Sequence, residues 1–295
     1  MLRQMSLYNI QHFFDPETST LSYIVYDEAS KDALIVDSVL GFNQASGEYD
    51  QKSANELLSF VSERGLILHY ILETHAHADH LSGAQYLKEK FPSAQVAIGS
   101  GITAVQAIFK DVFHLELTAN GEQFDKLFID EEIVNAGTIQ FKVIYTPGHT
   151  PACVSYLFKD QEKSFVFTGD ALFMPDYGTG RCDFPAGSAE NLYDSIQKLY
   201  SLSSETFVYT GHDYQPGGRK LKFQTTIEES KSDNIRLKSS TSKEEFVSFR
   251  KERDATLSTP KLLLPSIQVN IDAGRLPIAE GNGVSYLKLP LNKKG

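Results

Sequence analysis

Thr74-His75-Ala76-His77-Ala78-Asp79-His80 is the stretch that decides how the rest of the chain is read. Three histidines and one aspartate fall within the six residues from His75 to His80. Side chains two apart on an extended chain point the same way, so His75 and His77 can grip one ion together. Asp79 and His80 then turn toward a second position beside it. Imidazole and carboxylate suit zinc or iron. A lone histidine more often has a surface or hydrogen-bonded structural role, and His12, His69 and His114 are read that way. The hexapeptide is too dense in ligands for that reading.

The surrounding pattern alternates strands and helices. Residues 66–72 form a short apolar run that leads straight into the cluster, as expected of a buried strand. Further strands are expected over 6–14, 21–26, 32–37, 95–98, 153–158, 165–168 and 206–210, with two more over 132–145 around Gly137. Helices are expected over 52–64, with Gly65 as the stop, and over 81–91, 101–109 and 189–199. Residues 228–256 are charged and read as helical. Residues 260–295, punctuated by Pro and Gly, read as a wrapping tail. The whole of 1–295 is read as one domain, with 228–295 its C-terminal helix and tail.

Three further residues stand at strand ends. His149 follows the Pro147-Gly148 turn signal behind residues 141–145. Asp170 follows Phe165-Val166-Phe167-Thr168-Gly169, where a helix N-cap is the plainer reading. His212 lies in Tyr209-Thr210-Gly211-His212-Asp213-Tyr214 and repeats the strand–Gly–ligand pattern. Each is weak alone. They gain force together, because loops at strand ends are where layered α/β scaffolds carry their chemistry.

Composition excludes several classes. The formal net charge is -10, and no basic stripe is visible to neutralise phosphates, so no nucleic-acid partner is expected. An anionic substrate would need a local group of cations set against the overall field. Two cysteines, Cys153 and Cys182, make no disulfide framework and suit a reducing compartment. Residues 1–10 lack the apolar core of a signal peptide, and no run approaches the roughly 20 apolar residues of a membrane span. The expected location is the cytoplasm, with no membrane partner.

In order and spacing, Thr74–His80, Pro147-Gly148-His149-Thr150, Phe167-Thr168-Gly169-Asp170 and Gly211-His212-Asp213 resemble the metal motifs of the metallo-β-lactamase superfamily. The resemblance runs from about residue 5 to 216. It implies an αββα sandwich, an α/β fold of two mixed sheets flanked by helices, with the site at one edge of the sheets. Two branches share the histidines: the binuclear glyoxalase II enzymes and the mononuclear iron persulfide dioxygenases. Gly180-Arg181-Cys182-Asp183-Phe184, close to Gly-Arg-Thr-Asp-Phe, looks like the dioxygenase branch. So do His212-Asp213-Tyr214, in place of His-Glu-Tyr, and the segment from Glu252 to Leu262. Met174–Thr179 and Leu264–Asn270 look like a bacterial subgroup called β-lactamase-hydrolase-like. Cys182 departs from the usual threonine, which puts substrate orientation in doubt.

The dioxygenase resemblance implies one Fe(II) per chain, with Zn(II) the alternative, held by His75, His149 and Asp170. His77, Asp79, His80 and His212 would hold a second ion or orient the ligands of the first. Glutathione persulfide and O2 would be the substrates, with sulfite and glutathione as products. Tyr177, Arg181 and Arg219 are the expected substrate contacts, because arginine forks suit glutathione's two carboxylates. The alternative is a binuclear glutathione thioester hydrolase. The complete ligand set argues against a catalytically dead scaffold. Whether the chain forms a homodimer is left open.

Overall fold

Strand β3, Asp32–Val36, explains the layering of the molecule. All five of its residues are buried, and successive side chains leave on opposite faces. Ala33 and Ile35 pack beneath helices, whereas Leu34 and Val36 enter the space between two sheets. A strand covered on both faces needs a layer on each side, and the chain supplies both.

The computed structural model describes residues 8–160 and 162–291. Before β3 come β1 (Tyr8–Asp15) and β2 (Thr20–Asp27). After it follow β4 (Val39–Asn43), β5 (Glu48–Asp50), α1 (Lys52–Glu63), β6 (Ile67–Leu72), β7 (Leu81–Ser82) and α2 (Ala84–Lys90). The first half closes with β8 (Gln95–Gly99), α3 (Ile102–Phe113) and β9 (Lys126–Phe128). The second half holds β10 (Ile133–Ala136), β11 (Ile139–Tyr145), β12 (Val154–Lys159), β13 (Ser164–Phe167), α4 (Ala189–Tyr200) and β14 (Phe207–Tyr209). It continues with β15 (Gln224–Thr226), α5 (Ile227–Asp233), α6 (Lys243–Asp254) and α7 (Leu263–Asn270).

One sheet has the order β1-β2-β3-β6-β8-β9 and the other β10-β11-β12-β13-β14-β15. Both are mixed: β3, β6, β8 and β9 run parallel, as do β13 and β14, while the remaining pairs are antiparallel. A small third sheet, β5-β4-β7, carries a hairpin beside the site. Aromatic side chains fill the space between the large sheets, among them Tyr23, Phe141, Tyr156, Phe158 and Phe167. Val166 faces the other way from Phe165 and Phe167, toward Leu192 and Ile196 of α4 and Phe246 of α6. The architecture is therefore helix, sheet, sheet, helix, as the resemblance implied. Among the described residues no helix is long and apolar enough to cross a membrane.

Local differences from the sequence reading have physical causes. The helix expected over 81–91 begins only at Ala84, because Leu81 and Ser82 pair with Leu40 and Val39. The helix expected over 101–109 runs on to Phe113 and stops at His114, whose φ of 49° is left-handed. The single helix expected over 228–256 is two. Between them the Asn234 side chain accepts from the backbone N–H groups of Arg236 and Leu237 and so competes with helix geometry. The tail contains a helix, α7, despite Pro265, which sits in its first turn where an N–H has no helical partner anyway. Residues 6, 7 and 292–295 of the expected strand and tail lie outside the described residues.

Candidate metal centre

Four strands deliver the expected ligands to one place. β6 ends in the loop with His75, His77, Asp79 and His80; β11 leads to His149; β13 leads to Asp170; β14 leads to His212. Two backbone bonds lock neighbouring loops: Val154 N to Thr74 O at 2.9 Å and Gly211 N to Gly169 O at 3.2 Å. Gly169 has a φ of +47°, and a Cβ there would lie 2.4 Å from Thr74 Oγ1, so only glycine lets the Asp170 loop approach.

His75, His149 and Asp170 offer ligand atoms that all lie within 4.8 Å of one another. The Nε2 atoms of His75 and His149 are 3.9 and 3.6 Å from Asp170 Oδ2. His77, Asp79 and His80 form a second set meeting the same limit. His212 Nε2 lies between the two, 3.3 Å from Asp170 Oδ1 and 3.5 Å from Asp79 Oδ2. His75 Nε2, His77 Nδ1, His80 Nε2 and Asp170 Oδ1 are buried without a hydrogen-bond partner. A buried polar atom left unsatisfied costs roughly 1–3 kcal/mol, and four together imply missing partners at the two sets. Metal ligation within the His75, His149 and Asp170 set, and within the neighbouring His77, Asp79 and His80 set, would satisfy them, so the residues present fit a metal.

The other ring atoms set the tautomers. Thr74 Oγ1 donates to Asp37 Oδ2 at 2.8 Å, so it must accept the His75 Nδ1–H at 3.0 Å. His149 donates its Nδ1–H to the Arg181 carbonyl at 2.7 Å. Both rings are left with an Nε2 lone pair facing Asp170. Burial, reinforced by the His77 and His149 rings, holds His75 well below the usual histidine pKa and keeps it neutral. His77 differs. Burial opposes its charge, but Asp37 Oδ1 at 3.1 Å and Glu73 Oε2 at 3.2 Å flank its Nε2 and raise it well above the usual range. Desolvation likewise opposes the Asp79 charge, yet His212 and His80 hold its carboxyl well below the usual value.

The sequence profile of the metallo-beta-lactamase superfamily matches residues 15–212. The chain belongs to the metallo-β-lactamase superfamily. It is 51% identical over 285 residues to Glyoxylase B2 of Dictyostelium discoideum, covering 96% of this chain and 97% of that one. It is 34% identical over 239 residues to the mitochondrial persulfide dioxygenase ETHE1 of Bos taurus, covering 81% and 78%. The solved structure of ETHE1 from Myxococcus xanthus matches with a TM-score of 0.71 and 32% identity, over 90% of this chain and 100% of that chain. The dioxygenase branch of the superfamily is thus among its homologues.

In this superfamily member the ligand loops open into a cavity of about 1270 Å³, more than a small-molecule site usually needs. Asp79, His149 and Asp170 line it, as do Tyr177, Tyr214 and Phe184. Tyr177 stacks on Tyr214 with ring centroids 4.6 Å apart.

The two expected arginines are placed differently. Arg219 is not among the lining residues, and its fork is taken. It bonds Asp176 through Nε (2.5 Å) and Nη2 (2.9 Å), and Asp213 through Nη1 and Nη2 (2.7 Å each). Arg181 lines the cavity, but Asp183 holds its Nε and Nη2 at 2.5 and 2.6 Å and the Ser258 carbonyl holds Nη1 at 2.8 Å. Cys182 does not line the cavity either, and it is 8% exposed. Its replacement of threonine therefore has no direct route to substrate.

Other cations do face the cavity. Arg236, Arg253 and Lys261 line it, and none has a carboxylate partner among the described residues. None of the three stood out as a substrate contact from sequence: Arg236 and Arg253 fall in the charged, helical 228–256 stretch, and Lys261 falls in the tail. Sequence reasoning also passed over Asp37 and Glu73, which grip His77. The signal was there: Asp37 closes an apolar run as Asp170 does.

Proposed function

We propose that this chain is a non-haem iron persulfide dioxygenase acting on glutathione persulfide. The observation that carries the reading is the buried set of His75, His149 and Asp170. Two imidazoles and one carboxylate come together from three separate loops, and His149 and Asp170 line a cavity that Arg236, Arg253 and Lys261 also line. That donor set suits one Fe(II) with open positions, and the ion would supply activation of O2. The homologous ETHE1 persulfide dioxygenases support the same reading. Glutathione persulfide, O2 and one water would give glutathione, sulfite and two protons.

The chain's own groups have separable tasks. Thr74 and the Arg181 carbonyl hold the His75 and His149 tautomers that present Nε2. Arg236 and Arg253 replace Arg219 as anchors for glutathione's carboxylates, with Lys261 adding charge. Tyr177 and Tyr214 form an apolar wall for the thiol portion. The Tyr177–Tyr214 stack lines the same cavity as Asp170.

A binuclear glutathione thioester hydrolase is the second reading. The His77, Asp79 and His80 set favours it, as does the similarity to a protein named Glyoxylase B2. Metal analysis paired with an oxygen electrode separates the two. The dioxygenase reading expects about one iron per chain, O2 uptake and sulfite release with glutathione persulfide, and negligible S-lactoylglutathione hydrolysis. Two zinc ions with rapid thioester turnover and no O2 uptake would replace it with the second.

A further inference from the structure

We infer that Asn270, on the C-terminal helix α7, is a positioning residue for the metal-binding loop. The inference rests on the metal set proposed above, and it is independent of the sulfur chemistry.

The loop from His75 to His80 is irregular and buried, so its carbonyls need partners that neither helix nor sheet supplies. Asn270 provides two of them. Its Nδ2 donates to His77 O and to His80 O, each at 2.8 Å. Its Oδ1 accepts the Ser82 N–H, also at 2.8 Å. Two carbonyls can face only the NH2 end of the amide, so the orientation of the side chain is dictated by its partners. One residue thus ties three backbone groups that lie 188 to 193 positions away in sequence.

The tie reaches His77 a second way. Ser82 Oγ donates to Glu73 Oε1 at 2.5 Å, and Glu73 Oε2 lies 3.2 Å from His77 Nε2. Both the carbonyl and the ring of His77 are therefore referred to α7. The helix is firmly seated: Ile267, Val269 and Ile271 are 0–2% exposed, and Asn270 itself is 4% exposed. α7 also lies outside residues 15–212, the span matched by the superfamily. The metal loop is thus completed by a helix beyond that span.

Outer groups that orient ligands typically change metal affinity 10- to 100-fold when removed. Asn270→Asp is the sharpest test, because it keeps shape and the Ser82 acceptor but turns a carboxylate oxygen on two carbonyls. Titration of Zn2+ into the metal-free chain should show Kd weakened by about 10- to 100-fold, and the visible spectrum of the Co2+-loaded chain should shift. Asn270→Ala removes the donors without adding charge and should do the same if Asn270→Asp does not fold. Val269→Ala cuts the same helix one residue away; it should lower the melting temperature and leave Kd and spectrum unchanged. Wild-type Kd and spectrum in the folded Asn270 variants would overturn the inference alone. So would an equal loss in Val269→Ala. A wild-type chain that binds no metal would overturn the metal reading, and this inference with it.

Discussion

The Asp254 carboxylate accepts the backbone N–H of Cys182 at 2.8 Å, one residue beyond the carbonyl that orients the His149 ring. Asp254 is also paired with Arg250 one helical turn earlier, and both are at most 6% exposed. Arg250 in turn reaches toward Thr179 at the start of the same loop. Helix α6 therefore braces the loop on which His149 depends.

Asp254→Ala leaves the Arg250 charge buried and unpaired. Breaking one side of a buried pair costs about 3–5 kcal/mol. Denaturant unfolding should show that loss. The double variant Arg250→Met/Asp254→Leu should recover most of it, since removing both charges avoids the orphan. A double variant as unstable as the single one would show that the pair is not the source of the loss.

His75→Ala, His149→Ala and Asp170→Ala should each abolish stoichiometric metal binding and activity. His12 stacks on Phe223 with ring centroids 3.6 Å apart, and His114 caps α3, both away from the cavity lining. His12→Ala and His114→Ala should keep metal content and turnover. Metal analysis of the five purified variants checks the contrast, and equal metal loss in His114→Ala would contradict it.

Arg236→Ala and Arg253→Ala should each raise KM for glutathione persulfide with metal content unchanged. A charge-assisted hydrogen bond is worth roughly 1.5–3 kcal/mol, about 10- to 150-fold in kcat/KM. Arg219→Lys should do the reverse. It loosens the ties to Asp176 and to Asp213, which is 2% exposed, and so should lower the melting temperature and leave KM alone. Steady-state kinetics beside thermal melts decide between the two sets of arginines.

The buried thiol of Cys182 is pushed well above its ordinary pKa by burial, which disfavours thiolate. Thiol reagents should label it only on unfolding. Cys182→Thr should change KM less than about twofold, since the side chain does not line the cavity. Rapid labelling of the folded chain would show that the loop opens.

Asp32 accepts from His69 Nε2 at 2.6 Å and from Thr138 N at 2.7 Å and Oγ1 at 2.9 Å. Burial raises its pKa, but these donors prevail and lower it from 3.8 to about 2. The folded state thus favours the carboxylate. Its contribution is full above the unfolded pKa near 4 and is lost as pH falls toward 2. Allowing for solvent screening, that amounts to about 1–2 kcal/mol. Asp32→Asn should remove it at neutral pH and flatten the acid limb of the stability curve between roughly pH 4 and 2. An acid limb unchanged by the substitution would place the sensitivity elsewhere.

The parts of this molecule legible from sequence were those with local signatures. Apolar runs bounded by Gly or Asp marked the strands, and the ligands stood directly behind them. What was not legible depends on long-range contact. The β4–β5 hairpin joins two short segments, one broken by Gly41, and is held where Val39 and Leu40 pair with β7. Arg219 and Arg236 look alike in sequence. One meets two aspartates and the other faces a cavity, and only the folded chain distinguishes them. Asn270 stood within the quoted Leu264–Asn270 segment, but its contacts were not legible because its partners are backbone atoms, which carry no residue type.

The tie from Asn270 to the carbonyl of His80 spans 190 positions. On a ribosome adding about 5–20 residues per second, His80 would be made roughly 10–40 s before Asn270. For that interval the nascent chain holds the His75–His80 loop without the helix that closes it. Affinity for an ion would then differ between the chain before Asn270 is made and the chain after it. Closure of the His75–His80 loop would then wait for Asn270, after His149, Asp170 and His212 have been laid down.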